Sequence, residues 1–229
     1  MTLTLDHLII TVNDLDAAMK QYEAQGYTVR FGGVHADGAT HNALIIFADG
    51  SYIELLAKTS PDAKTAYQHY FNHGEGITGY ALLVDSLDEQ ISKLTANGVD
   101  MNPIIQGGRK RSDGIELKWQ VMSEAGKPVP FYIEDLTERG LRVDGSAATH
   151  PNGATSIQQL HFVTTQFEQT VERMTKLLDA AMTEVPHSAS NKVYWRVGAT
   201  LFFLHDVTLK DDPLYAHALS RPDVPYGME

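Results

Sequence analysis

A tripeptide carrying a carboxylate occurs twice in this 229-residue chain, as Tyr52-Ile53-Glu54 and as Tyr132-Ile133-Glu134. A glutamate set behind Tyr-Ile, and in the first copy followed by Leu55-Leu56, is costly to bury without a partner. Such a carboxylate can take a proton from a substrate or share a cation with other ligands. A second constellation is Arg109-Lys110-Arg111 behind Gly107-Gly108, with Trp119 on the strand that follows. Guanidinium groups bind carboxylate or phosphate through paired hydrogen bonds, which points to an organic acid as the bound molecule. The plainer readings are a solvated basic loop for the triplet and a core position for Trp119, which shares a strand face with Leu117 and Val121.

The elements that must position these residues are themselves repeated. Val12-Asn13-Asp14-Leu15-Asp16, running to Gly26, returns as Val84-Asp85-Ser86-Leu87-Asp88, running to Gly98. The helix signals at Val12 and Val84 lie 72 residues apart and the glutamates at 54 and 134 lie 80 apart, so the second copy is read with an eight-residue insertion before its last strand. In the first copy a strand over Leu5 to Val12 precedes an Asn13 or Asp14 cap, and Leu15, Ala18, Met19 and Tyr22 fall at helical spacing. Strands follow over Tyr27 to Gly32, His41 to Phe47 and Ser51 to Ala57. The second copy gives Gly79 to Val84, a helix over Leu87 to Ala96, then strands near Met101 to Ile105, Glu116 to Met122 and Val129 to Glu134. Both are β-α-β-β-β modules.

Residues 137–156, with three glycines and a proline, read as a linker between this 1–136 pair and a third, weaker copy over 157–229. That copy has strands over Gln158 to Thr164, Lys192 to Val197 and Thr200 to His205, a helix over Phe167 to Leu178, and a proline-bearing tail from Asp206. Its sheet is expected to pack either on the first barrel or on the same module of a second chain, and a homodimer is expected. The fold class is therefore α+β, with tandem βαβββ modules forming a half-open barrel and a third partial module beside it.

With 43% hydrophobic and 21% charged residues the chain has the composition of a globular protein. Eighteen Lys plus Arg against 29 Asp plus Glu give a net charge of −11, which argues against nucleic acid and against an anionic membrane face. The absence of cysteine removes thiol nucleophiles, thiolate metal sites and disulfides. No apolar run reaches the roughly 18 to 20 residues of a membrane span, and the opening Met1-Thr2-Leu3-Thr4-Leu5-Asp6-His7 meets acid early, so the expected location is cytoplasmic. Gly74-x-Gly76-x-x-Gly79 matches a dinucleotide string but precedes a strand instead of following one, and neither a P-loop nor a nucleophile elbow is present.

A tandem β-α-β-β-β unit opening with Asp6-His7-Leu8 and closing with Tyr-Ile-Glu resembles the vicinal oxygen chelate superfamily, which includes glyoxalase I, extradiol dioxygenases and bleomycin-resistance proteins. Gly33-x-His35, Thr40-His41-Asn42-Ala43-Leu44 and Gly107-Gly108-Arg109-x-Arg111-x-Asp113-Gly114 look closest to its glyoxalase-like domain family. The resemblance implies a cup with a divalent metal, Zn, Ni, Mn or Fe(II), held from the first and last strands of each module. Carried over, the metal ligands are His7, Glu54 and Glu134, and the fourth position falls on Gly79, which has no donor atom. His41 is the nearest substitute. Glu54 and Glu134 are then the candidate catalytic groups, one doubling as general base, and His41, Asn42, Arg109, Arg111 and Trp119 the candidate substrate contacts.

What this implies is a metal-dependent lyase or isomerase acting on a small metabolite with adjacent oxygens. A metal-free binding protein of the bleomycin-resistance kind is the alternative, since Gly79 suits it equally well, and a dioxygenase is a further one.

Overall fold

The computed structural model describes residues 3–36, 38–65, 67–111, 113–145, 148–186, 188, 190–207 and 209–229. Strand β1 (Thr4–Thr11) leads into α1 (Leu15–Ala24), and β2 (Arg30–Val34), β3 (Thr40–Ile46) and β4 (Tyr52–Lys58) complete the first module. Asp14 caps α1 by accepting from the Ala17 amide, and Gly26, at φ 82°, turns the chain out of the helix. One-turn α2 (Gln68–Phe71) lies in the connection to β5 (Gly76–Leu83), α3 (Leu87–Ala96), β6 (Ile105–Lys110), β7 (Glu116–Ser123) and β8 (Phe131–Asp135). The repeat holds at its front end, where β5 and α3 each start 72 residues after β1 and α1. Further on the spacing widens: the strand expected near Met101 to Ile105 is β6, so the Gly107-Gly108-Arg109-Lys110 stretch, whose plainer reading is a solvated basic loop, is strand.

The two modules share one eight-stranded sheet in the order β2-β3-β4-β1-β5-β8-β7-β6. At its centre β1 and β5 run antiparallel, each flanked by the parallel last strand of its own module. A bridge from His35 to Arg109 brings the two edges together, so the sheet is a nearly closed barrel. Side chains alternate across it. On β1 His7 and Ile9 face the interior cup, while Leu8 and Ile10 belong to the core beneath the helices.

Past β8 the expected linker is built into the barrel. It contains α4 (Arg139–Arg142), and His150 accepts from the Thr28 amide at Nδ1 while Nε2 faces the Ile46 carbonyl at 3.0 Å. The third module has β9 (Gln159–Thr164), α5 (Phe167–Leu178), β10 (Met182–Glu184), β11 (Lys192–Val197), β12 (Thr200–Asp206), α6 (Tyr215–Ser220) and β13 (Gly227–Met228). Of the two packings expected for it, the barrel is the one found. Tyr80 on the outer barrel face meets Phe162 and Phe202 at centroid distances of 5.3 and 5.6 Å, and Tyr132 donates to the Leu177 carbonyl at 2.7 Å. Its free edge is covered by its own tail, because β13 pairs antiparallel with β9 as β5 does with β1.

His161 and His205 occupy in β9 and β12 the register positions of His7 and Glu54, and their rings touch at 3.2 Å. Burial lowers His205 to about 4, with Lys192 and His161 adding to the shift. A folded-state histidine held below its ordinary 6.5 contributes stability above that value and loses it on acidification. Between pH 6.5 and about 4 the third module should therefore weaken, and His205→Asn should flatten that part of the stability-pH curve.

Candidate functional site

The cup encloses about 1160 Å³. A buried charged network lies behind its wall. Asp6, fully buried, sits behind His7 and accepts from Arg142 through both oxygens (2.9 and 3.0 Å) and from Arg139 at 2.5 Å. Burial alone would raise the Asp6 carboxyl, but the Arg142 charge and the hydrogen bond to His7 hold it well below the usual carboxylate range. An ionised Asp6 can only accept, so the 2.7 Å contact places the proton on His7 Nδ1 and turns Nε2 toward the cup. The ring is further fixed by stacking on Tyr52, its register partner, at 4.5 Å.

Glu54 lies on the same inward face two residues beyond Tyr52, and is 7% exposed. Asn42 Nδ2 donates to its Oε1 at 2.6 Å. His7 Nε2 stands 3.5 Å from Oε2 and His35 Nε2 3.6 Å from Oε1. The Thr40 hydroxyl meets His35 Nδ1 at 2.8 Å. One carboxylate thus has an imidazole beside each of its oxygens, in a cup whose remaining wall is largely apolar: Ile9, Leu44, Leu56, Val121, Met122 and Ile133.

The second module places no acid at the position equivalent to Glu54. Ile9 pairs with Glu54, and its counterpart 72 residues on, Ala81, pairs with Phe131. Phe131, set edge-on to His7 at 5.6 Å, therefore holds the position equivalent to Glu54. The Tyr-Ile-Glu match is out of register by three residues, and an odd slip sends each side chain to the opposite face of the sheet. Glu134 consequently points outward, away from the cup. It accepts from the Leu87 amide at the start of α3 at 2.8 Å and from Gln120 Nε2 at 2.9 Å. Glu134→Ala should cost about 1 kcal/mol in thermal unfolding, as loss of a helix-end acceptor does, and leave ligand binding in the cup unchanged.

Gly79, opposite His7 in the repeat, is occupied in a different sense. A Cβ there would stand 2.8 Å from the Tyr70 ring, which α2 lays into the slot. Arg109 lines the cup, 7% exposed, with Nη1 donating to the Gly32 carbonyl, and burial pulls its guanidinium down from the ordinary value. Trp119 also lines it, its indole lying across Gly107.

A family model described as glyoxalase-like domain matches residues 5–178, from β1 through α5. The chain belongs to the glyoxalase-like domain family. Among solved structures, this glyoxalase-like chain is similar to a hypothetical protein from Staphylococcus aureus at 20% identity and TM-score 0.73, covering 90% of this chain and 87% of that one. A mutant 4-hydroxymandelate synthase from Streptomyces coelicolor aligns at 14% identity and TM-score 0.54, over 90% of this chain and 63% of that one. Methylmalonyl-CoA epimerase from Mycobacterium tuberculosis aligns at 23% and TM-score 0.43, over 58% and 86%. These are likenesses of fold. No curated protein matches the sequence.

Of the residues expected at the site of this glyoxalase-like protein, the cup brings together His7, Glu54, Asn42, Arg109 and Trp119. It does not include Glu134, His41 or Arg111. His41 meets Phe31 edge-on at 6.3 Å, with the neighbouring inward position taken by Asn42. Arg111 bonds the Leu141 carbonyl and Asp113, both at 2.7 Å. Asp6, His35, Tyr70 and Arg142 were not among the expected residues. His35 and Asp6 stood within quoted motifs without a role, whereas nothing in the linker composition marks Arg142.

The donor types His7, His35 and Glu54 would suit a divalent metal, but their placement does not. The two imidazoles stand on different oxygens of Glu54, Asn42 holds one of those oxygens, and the second module offers Gly79 and Phe131 where further ligands would sit. Among the described residues no group of three or more His, Cys, Asp or Glu is placed to hold a metal ion. No helix among them is long and apolar enough to cross a membrane.

Proposed function

We propose that this protein is an enzyme of the isomerase or lyase type that moves a proton on carbon beside a carbonyl, in a small carboxylate-bearing metabolite with adjacent oxygens. The observation that carries the reading is Glu54: a buried carboxylate in a largely apolar cup, flanked by two imidazoles, one of them locked in a single tautomer by Asp6. The cup is large enough for the substrate to lie against that carboxylate. Glu54 takes the proton; Asn42 donates to the carboxylate before transfer, and the His7 Nε2 lone pair beside Oε2 can accept from the carboxylic acid after it. The Arg109 charge in the wall favours an anionic substrate. No step is assigned to a metal.

The test is proton exchange. Pyruvate, 2-oxobutanoate and hydroxypyruvate, incubated with the protein in deuterated buffer and followed by NMR, are expected to exchange the hydrogens beside their carbonyls. Saturable calorimetric binding of these compounds with no exchange would make the protein a metal-free binder instead, a reading to which the ligand-free second-module wall would then be suited.

A further inference from the structure

Gly79 is where the second module would present a side chain opposite His7, and the chain fills that place from elsewhere. The ring of Tyr70 approaches Gly79 so closely that even a methyl group would meet it at 2.8 Å. Residue and slot are matched: β5 leaves out a side chain and the one-turn α2 supplies a phenol. The slot also has a defined relation to Glu54. Ile9 pairs with Glu54 on one side and with Gly79 on the other, so the two backbones lie two strand spacings apart, roughly 10 Å, on one face of the sheet. Glu54 and Tyr70 both line the cup, with Ile9 on the strand between them. Tyr70 is buried at 5% exposure and stacked on Tyr67, which in turn lies 5.3 Å from the His35 ring. His35, Tyr67 and Tyr70 thus form an arc around Glu54.

We propose that Tyr70 is a second catalytic residue, donating a hydrogen bond to the substrate oxygen that gains charge while Glu54 removes the proton. This rests on the proton-transfer reading above. The C–H bond breaks, its proton passes to a Glu54 oxygen, and the electron pair moves onto the carbonyl oxygen, where the Tyr70 hydroxyl stabilises it without giving up its own proton. Return of a proton or deuteron from Glu54 restores the C–H bond. Burial pushes the Tyr70 phenol upward, and the Glu54 charge and Tyr67 push the same way, so it remains a donor across the physiological range.

The variants to compare in the exchange assay are Tyr70→Phe, which keeps the ring, and Gly79→Ala, which displaces it. Both should lower kcat by about 10²- to 10³-fold, the usual effect of removing one donor to a developing oxyanion. For Tyr70→Phe, KM should stay within about threefold, since the lost interaction belongs to the transition state. A Tyr70→Phe protein with full kcat, alongside Glu54→Gln that has lost exchange, overturns the role of Tyr70 alone. Wild-type protein that exchanges none of the three compounds overturns both.

Discussion

Glu54→Gln is expected to lower the exchange rate by about 10²- to 10⁴-fold, the range a positioned general base supplies. The substitution keeps the shape of the side chain and one oxygen for Asn42, so the cup should stay intact and KM should move by less than about threefold. What is lost is the basic lone pair and the charge held between His7 and His35. Asp6→Asn should weaken the reaction by a different route, since an amide can present its NH₂ to His7 and permit the other tautomer, leaving Nε2 protonated toward Glu54. A Glu54→Gln protein that retains more than about a third of the wild-type rate would remove Glu54 from the chemistry.

The largest effect on stability is expected for Arg142→Met. The guanidinium bonds both oxygens of Asp6, both of Asp135 (2.5 and 2.8 Å) and the Tyr52 hydroxyl (2.8 Å), at 5% exposure. Methionine fills the space and leaves buried Asp6 and half-buried Asp135 with Arg139 as their remaining cation, a loss of about 3–5 kcal/mol by the precedent of broken buried ion pairs. Denaturant unfolding at neutral pH should show the midpoint falling with little change of slope. The pH dependence has a definite sign. Asp6 in the folded state lies well below its ordinary 3.8, so its contribution is complete above that value and fades as pH falls below it. In Arg142→Met that fading should be blunted, because the favourable term is already gone. A loss under about 1 kcal/mol would mean that the linker arginine is solvated and the network adds little.

The fold was legible in the sequence because it is carried by patterns that repeat: the Val12 to Asp16 and Val84 to Asp88 helix starts, the glycines at 26 and 98, and the strand-rich runs between turns. Half of the site was legible for the same reason, since His7 and Glu54 belong to the first module, where parity along β1 and β4 is regular. The second half was misread through a real repeat in the wrong register. Tyr132-Ile133-Glu134 looks like Tyr52-Ile53-Glu54, yet only strand pairing reveals that Phe131 faces the cup and Glu134 faces α3. Sequence spacing carries no information about that slip when a loop of unknown length precedes the strand. Contacts from outside the modules were equally hidden: Arg142 arrives from a segment of linker composition, and Tyr70 from a connection that composition alone reads as loop.

Proton abstraction by Glu54 without a metal is tested most directly by exchange with protein stripped of metal. Wild-type protein treated with chelator, shown by elemental analysis to hold no divalent metal, should catalyse deuterium incorporation at its full rate, and Glu54→Gln treated in the same way should not. Loss of exchange on chelation, with recovery on adding Zn, Ni, Mn or Fe(II), would contradict it and return His7, His35 and Glu54 to the role of metal ligands.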